Sequence, residues 1–171
     1  EHWIDVYGNL TVLNSLITAY NTSNNYYIRV FSGAKLRIEG SEISYAGCYG
    51  VKDHNGLWIN TNNTIIKNTT IQYCVCGISF HHAHNNTLYG NTIRYNHENG
   101  IALYYSLENN IVGCNVYSND WYGIYVCHSD KNFIYRNTIW GNVWSGIELY
   151  SSSNNTIVAN TVSNSGEDGL H

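Results

Sequence analysis

The chain has 171 residues, of which 43% are hydrophobic and only 12% charged, about half the usual charged share. Its formal net charge of −4 gives no basic footprint for DNA or RNA. No run approaches the roughly 18 apolar residues of a membrane span, and no signal-peptide pattern is present, so nucleic-acid and membrane-spanning classes are set aside. Asn, Ser, Thr, Tyr and Gly fill the place of the missing charges, and Pro and Met are absent altogether. Without an initiator methionine the chain reads as a processed or excised piece of a longer protein. Five cysteines, an odd number with no CxxC pair, are neither a complete disulfide framework nor a zinc ribbon.

Taken in order, the chain repeats itself. Leu10, Val12, Ser15 and Ile17 mirror Leu36, Ile38, Ser41 and Ile43 at a spacing of 26, with residues 1–35 forming irregular first coils. Gly50 to Asn55 reads as an insertion, because Gly56-Leu57-Trp58-Ile59 resumes the pattern. Gly77, Gly100, Gly123, Gly146 and Gly169 then follow at intervals of 23, each succeeded by an apolar residue. Seven residues before the later glycines stand Ile93, Val116, Ile139 and Val162, and two before those stand Asn91, Cys114, Asn137 and Asn160. Ile71 stands only six before Gly77, so that coil has lost one residue. The repeats sum to about seven coils of one domain.

A unit of 23 residues is too short for a helix pair, and helical periodicity is lacking. Apolar residues alternate in runs of three to five, as short strands do. Strands with Asn at a fixed turn and Gly before a strand predict an all-β, single-stranded right-handed parallel β-helix, each coil stacked about 4.8 Å from the next. Asn91, Asn137 and Asn160 are expected to share one column as an amide ladder. Ile101, Leu103, Ile124, Val126, Ile147 and Leu149 are expected in the core. The absence of Pro agrees, since a central ladder strand cannot lose N–H donors.

This pattern resembles the right-handed parallel β-helix repeats of the pectin-lyase-like superfamily. It is nearest to the NosD-type and carbohydrate-binding or sugar-hydrolase β-helices, over residues 36–171 and more weakly over 10–35. Lyases, hydrolases, epimerases, adhesins and NosD-type proteins linked to copper-site assembly share that fold, so fold alone does not give function. The Asp column of a pectate-lyase-like calcium site is missing. The Asp-Pro-His-Glu signature of alginate epimerases is missing as well.

The stretch Cys74 to Thr87, CVCGISFHHAHNNT, looks like metal-site material, but strand alternation separates its donors. Ile78 and Phe80 point inward, and Ser79 and His81 point outward. Cys74 replaces the shoulder Asn of other coils, and Cys76 is expected to face out. No metal or other cofactor is expected from this stretch as a unit. Cys48 is placed to pair with Cys74 or Cys76, while Cys114 and Cys127 are read as thiols.

Three outward columns follow the repeated glycine. They read Trp58, Ser79, Ala102, Tyr125, Glu148, then Asn60, His81, Tyr104, Cys127, Tyr150, then Thr61, His82, Tyr105, His128, Ser151. Trp58, His81, His82, Tyr104, Tyr105, Tyr125, His128, Glu148 and Tyr150 thus form an aromatic and imidazole strip. Flat rings with polar rims suit sugar binding, so a polysaccharide or surface glycan is the expected partner. Glu148 has no second carboxylate in adjacent columns, as glycoside hydrolysis requires, so no catalytic residue is assigned. Sequons at Asn9, Asn21, Asn62, Asn68, Asn85 and Asn154 point to an extracellular or cell-surface glycoprotein. The expectation is a noncatalytic carbohydrate-binding module. Its rivals are a solenoid stacking end to end as a filament, a polysaccharide lyase or hydrolase fragment, and a NosD-like copper-related protein.

Overall fold

The computed structural model describes residues 2–19, 26–48 and 55–171. Every regular element among them is a strand, and all strand pairs are parallel, in three seven-stranded sheets. Sheet A stacks His2–Val6, Tyr26–Val30, Gly56–Ile59, Cys76–His81, Ile101–Tyr104, Ile124–Cys127 and Ile147–Tyr150. Sheet B stacks Asn9–Leu13, Lys35–Glu39, Ile65–Lys67, Thr87–Tyr89, Asn110–Val112, Phe133–Tyr135 and Thr156–Val158. Sheet C runs from Leu16–Thr18 through Glu42–Ser44, Thr70–Gln72, Thr92–Arg94, Asn115–Tyr117 and Thr138–Trp140 to Thr161–Ser163. One strand from each sheet makes a coil, and seven coils make the parallel β-helix that the glycine spacing predicts.

Three-residue strands arise because the chain turns at left-handed residues. At the corner between sheets B and C, Asn14, Gly40, Asn68, Gly90, Gly113, Arg136 and Ala159 all have positive φ. Where sheet C gives way to sheet A, Tyr45, Tyr73, Tyr95, Ser118, Gly141 and Asn164 do the same. Each corner throws the next side chain inward, and there the ladders form. Asn86 donates its backbone N–H and its Nδ2 to Asn109 Oδ1, both at 2.9 Å, and Asn109 repeats this toward Asn132. Asn96, Asn119 and Asn142 make a second ladder. The predicted column exists as a third: Thr69 donates to Asn91, Cys114 to Asn137, and Asn137 to Asn160. Buried amides are tolerated because each finds partners one coil away.

Inside the ladders lies a column of aliphatic side chains. Ile78, Ile101, Ile124 and Ile147 align on sheet A, and Ile71, Ile93, Val116 and Ile139 on sheet C, all without solvent exposure. Leu149 and Val162, in the last coil, are only partly buried against this core. The recurrent glycine is there for space. A Cβ at Gly100 would meet Val116 Cγ1 at 2.6 Å and Gly123 O at 2.8 Å.

The residue missing before Gly77 is lost at the corner from sheet C to sheet A. Cys74 lies 22 residues before its ladder partner Asn96, whereas Glu98 bonds Val75 at a separation of 23. Against the preceding strand Gly56–Ile59 the register also shifts, between Cys76 and Ile78. Cys76, expected to face out, is covered: it is 2% exposed but not part of the apolar core cluster, and it lies near Tyr104 and Glu98. Most of the proposed insertion Gly50–Asn55 lies outside the described residues, as do Asp53 and His54.

Candidate functional site

The three columns after the glycine are real. Trp58, Ser79, Ala102, Tyr125 and Glu148 are successive register partners on sheet A, as are His81, Tyr104, Cys127 and Tyr150. Their exposures differ in a way alternation alone does not predict. Trp58 and Glu148 are only 8% and 7% exposed, and Ser79 and Ala102 are closed off, because longer neighbours fold over them. Ser79 Oγ lies 2.6 Å from His81 Nε2. His81, Tyr104 and Tyr125 are half-buried, while His82, Tyr105, His128 and Tyr150 are exposed.

Rings pair from coil to coil in two lines. In the inner line Trp58 stacks on His81 at 5.4 Å and His81 on Tyr104 at 4.8 Å, and Tyr104 meets Tyr125 edge-on at 5.7 Å. That line extends upstream through Phe31 and Tyr7, which the sequence columns missed because the first coils lack the marker glycine. The outer line runs His82–Tyr105–His128–Tyr150, with centroids 5.2, 5.0 and 5.8 Å apart. Its first three members have positive φ, which lifts their rings off the corner between sheets A and B and keeps them accessible.

A further line, Tyr45–Tyr73–Tyr95–Tyr117–Trp140, runs beside sheet C with Arg94 over the Tyr95 and Tyr117 rings. Sequence reasoning passed over it, although Tyr45, Tyr73 and Tyr95 each stand two after a core isoleucine.

The ionisable groups are mostly occupied. Glu148 accepts from His171 Nδ1 at 2.9 Å, and that bond raises the His171 pKa. Burial raises the carboxyl pKa of Glu98, which is half-buried instead of freely solvated at its turn. All five cysteines are free thiols, so Cys48 pairs with neither Cys74 nor Cys76. Burial pushes the Cys74 thiol up to about 12 and Cys114 to about 11.

Of the sequons, Asn9, Asn62, Asn68, Asn85 and Asn154 are exposed, and Asn21 lies outside the described residues. Three of these, Asn68, Asn85 and Asn154, sit at positive φ directly before a ladder residue and a strand-opening Thr. At these three sites the sequon coincides with a corner position.

Fold and face together define a parallel β-helix repeat protein with aromatic lines along one corner. The profile of the NosD family, described as periplasmic copper-binding protein (NosD), matches residues 7–171, and the chain belongs to that family. Among solved structures it is similar to the periplasmic alginate epimerase AlgG, with a TM-score of 0.59 at 18% identity, covering 95% of this chain and 50% of that one. An AlgG T265N T268M double mutant gives 0.61 at 16% identity, with 95% and 51% covered. The mannuronan C-5 epimerase AlgE4 A-module of Azotobacter vinelandii gives 0.56 at 10% identity, with 98% and 64% covered. The chain thus spans about half the length of AlgG. No curated protein sequence matches it significantly.

The family description raises copper, and the donor set among the described residues does not fit it. Among the described residues no three His, Cys, Asp or Glu side chains converge. Copper takes thiolates or imidazoles, but Cys74, Cys76 and Cys114 are buried with raised pKa values. Tyr105 stands between His82 and His128, and His84 Nδ1 accepts the Leu107 N–H at 3.0 Å.

Proposed function

We propose that this chain is an extracytoplasmic β-helix module that binds carbohydrate along the corner between sheets A and B, without chemistry of its own. The observation that carries the reading is the outer line of rings, His82–Tyr105–His128–Tyr150, spaced about one coil apart. Rings with polar rims in a row can contact successive sugars of one polymer, and several weak contacts act together. Glu148, the carboxylate in these columns, is tied to His171 and has Tyr125 as its other column neighbour. Hydrolysis would need a second carboxylate within about 5–10 Å. An extracytoplasmic location is supported by the periplasmic description of the family and by the periplasmic AlgG.

The test is Tyr105→Ala with Tyr150→Ala, two residues 51% and 55% exposed. Retention on a polysaccharide array is expected to disappear while thermal unfolding stays cooperative, with a loss of about 1–3 kcal/mol from the two stacking contacts of Tyr105. Retention unchanged, or a larger loss of stability, would assign the rings to holding the sheet together.

A further inference from the structure

Immediately upstream of the outer ring line, the cross-section of the helix steps. Lys35–Glu39 is a five-residue strand, but its sheet neighbour Ile65–Lys67 has three residues. The difference is taken up by the corner at residues 60–64, where Asn63 has positive φ. The step leaves a groove of about 600 Å³ whose lining includes Lys35, Arg37, Asn60, Asn62, Ile65 and His82. His82 is also the first ring of the outer line, so groove and rings form one continuous surface.

The floor of this groove is fixed by bonds across coils. Thr61 Oγ1 donates to Ala34 O at 2.6 Å, and Asn62 Oδ1 accepts the His84 N–H at 2.7 Å. Its charge is opposite to that of the molecule. No lining residue is Asp or Glu, in a chain with a net charge of −4. Arg37 and Lys67 both pair with Glu39, at 2.7 and 2.9 Å. Lys35 has no ion-pair partner among the described residues. Two cations, Lys35 and Arg37, thus line the groove, and of these only Arg37 is paired with a carboxylate among the described residues.

We infer that the groove is an anion subsite that takes the acidic substituent of a saccharide, a uronate carboxylate or a sulfate ester, while neighbouring sugars lie on the outer rings. The inference rests on the proposed carbohydrate binding and narrows it to acidic glycans. Asn60, Asn62 and the His82 ring supply polar contacts for hydroxyls beside the charge, and Lys35 and Arg37 supply the attraction.

The experiment is calorimetric titration of the whole chain with a uronic-acid oligosaccharide, a sulfated oligosaccharide and a neutral glucan of equal length. At least one acidic ligand is expected to bind more tightly than the neutral one, by roughly five-fold for two exposed charges. Added salt should shrink that advantage. Lys35→Gln with Arg37→Gln should erase the advantage and leave neutral binding unchanged. Whichever acidic arm shows the preference identifies the group. Equal binding of acidic and neutral ligands, or a preference that survives the double substitution, overturns the subsite and leaves the carbohydrate reading standing. If none of the three oligosaccharides binds, the carbohydrate reading falls and the subsite falls with it.

Discussion

Tyr105 shows how one residue serves backbone and surface together. Its φ of +51° is a region that side chains other than Gly, Asn and Asp rarely adopt. The cost is tolerable where stacking on both sides favours it, and His82 and His128 supply that stacking at 5.2 and 5.0 Å. Tyr105→Asn keeps a residue at ease with that φ and removes the ring. Stability should change by less than about 1 kcal/mol in a urea titration, while polysaccharide retention is lost. A second residue-scale expectation concerns His171. Its pKa is raised by Glu148, so the pair favours the folded last coil below the ordinary histidine value and loses that effect as pH rises through the raised one. Glu148→Gln should move the His171 midpoint, read by NMR titration, back down toward the ordinary value.

At the scale of the element, the unit of stability is the ladder. Asn109 accepts two bonds from Asn86 and donates to Ala83 O and Asn132 Oδ1. Asn109→Ala leaves several buried groups unpaired, each worth about 1–3 kcal/mol. The expected loss is about 3 kcal/mol by denaturant titration. Asn155, in the last coil and partly exposed, should cost clearly less. Gly100→Ala tests the strand-opening column: its Cβ would press on Val116 and on the Gly123 carbonyl, an overpacking expected to cost about 1–3 kcal/mol. The ladder through Asn91, Asn137 and Asn160 was legible because those residues stand at a fixed distance from the core isoleucines. The ladder of Asn86, Asn109, Asn132 and Asn155 was not, because these polar, Asn-rich turns look like solvated loop. Only the positive φ at Asn85, Glu108, Lys131 and Asn154 shows that the residue after each must turn inward.

For the whole molecule, contacts run almost entirely between neighbouring coils, so stability approximates a sum over neighbour interfaces. Hydrogen exchange should therefore be graded, slowest in the coils from Gly56 to Trp140, whose core isoleucines are fully buried, and faster in the coils at either end. Uniform exchange across all seven coils would contradict nearest-neighbour stability. The sequence by itself determined the solenoid, the number of coils, the aliphatic columns and the ring columns that follow the repeated glycine, but not the ring line beside sheet C. A period of 23 with alternating apolar residues has one economical solution, and stacking copies that solution from coil to coil. Only the tertiary structure decided which rings stay accessible, that Cys76 is covered beside Tyr104 and Glu98, and that a cationic groove opens at Lys35 and Arg37. Periodicity fixes the direction of a side chain from its backbone. Exposure and charge neighbourhood depend on which long side chains of the next coil fold over it, and on where a corner changes width.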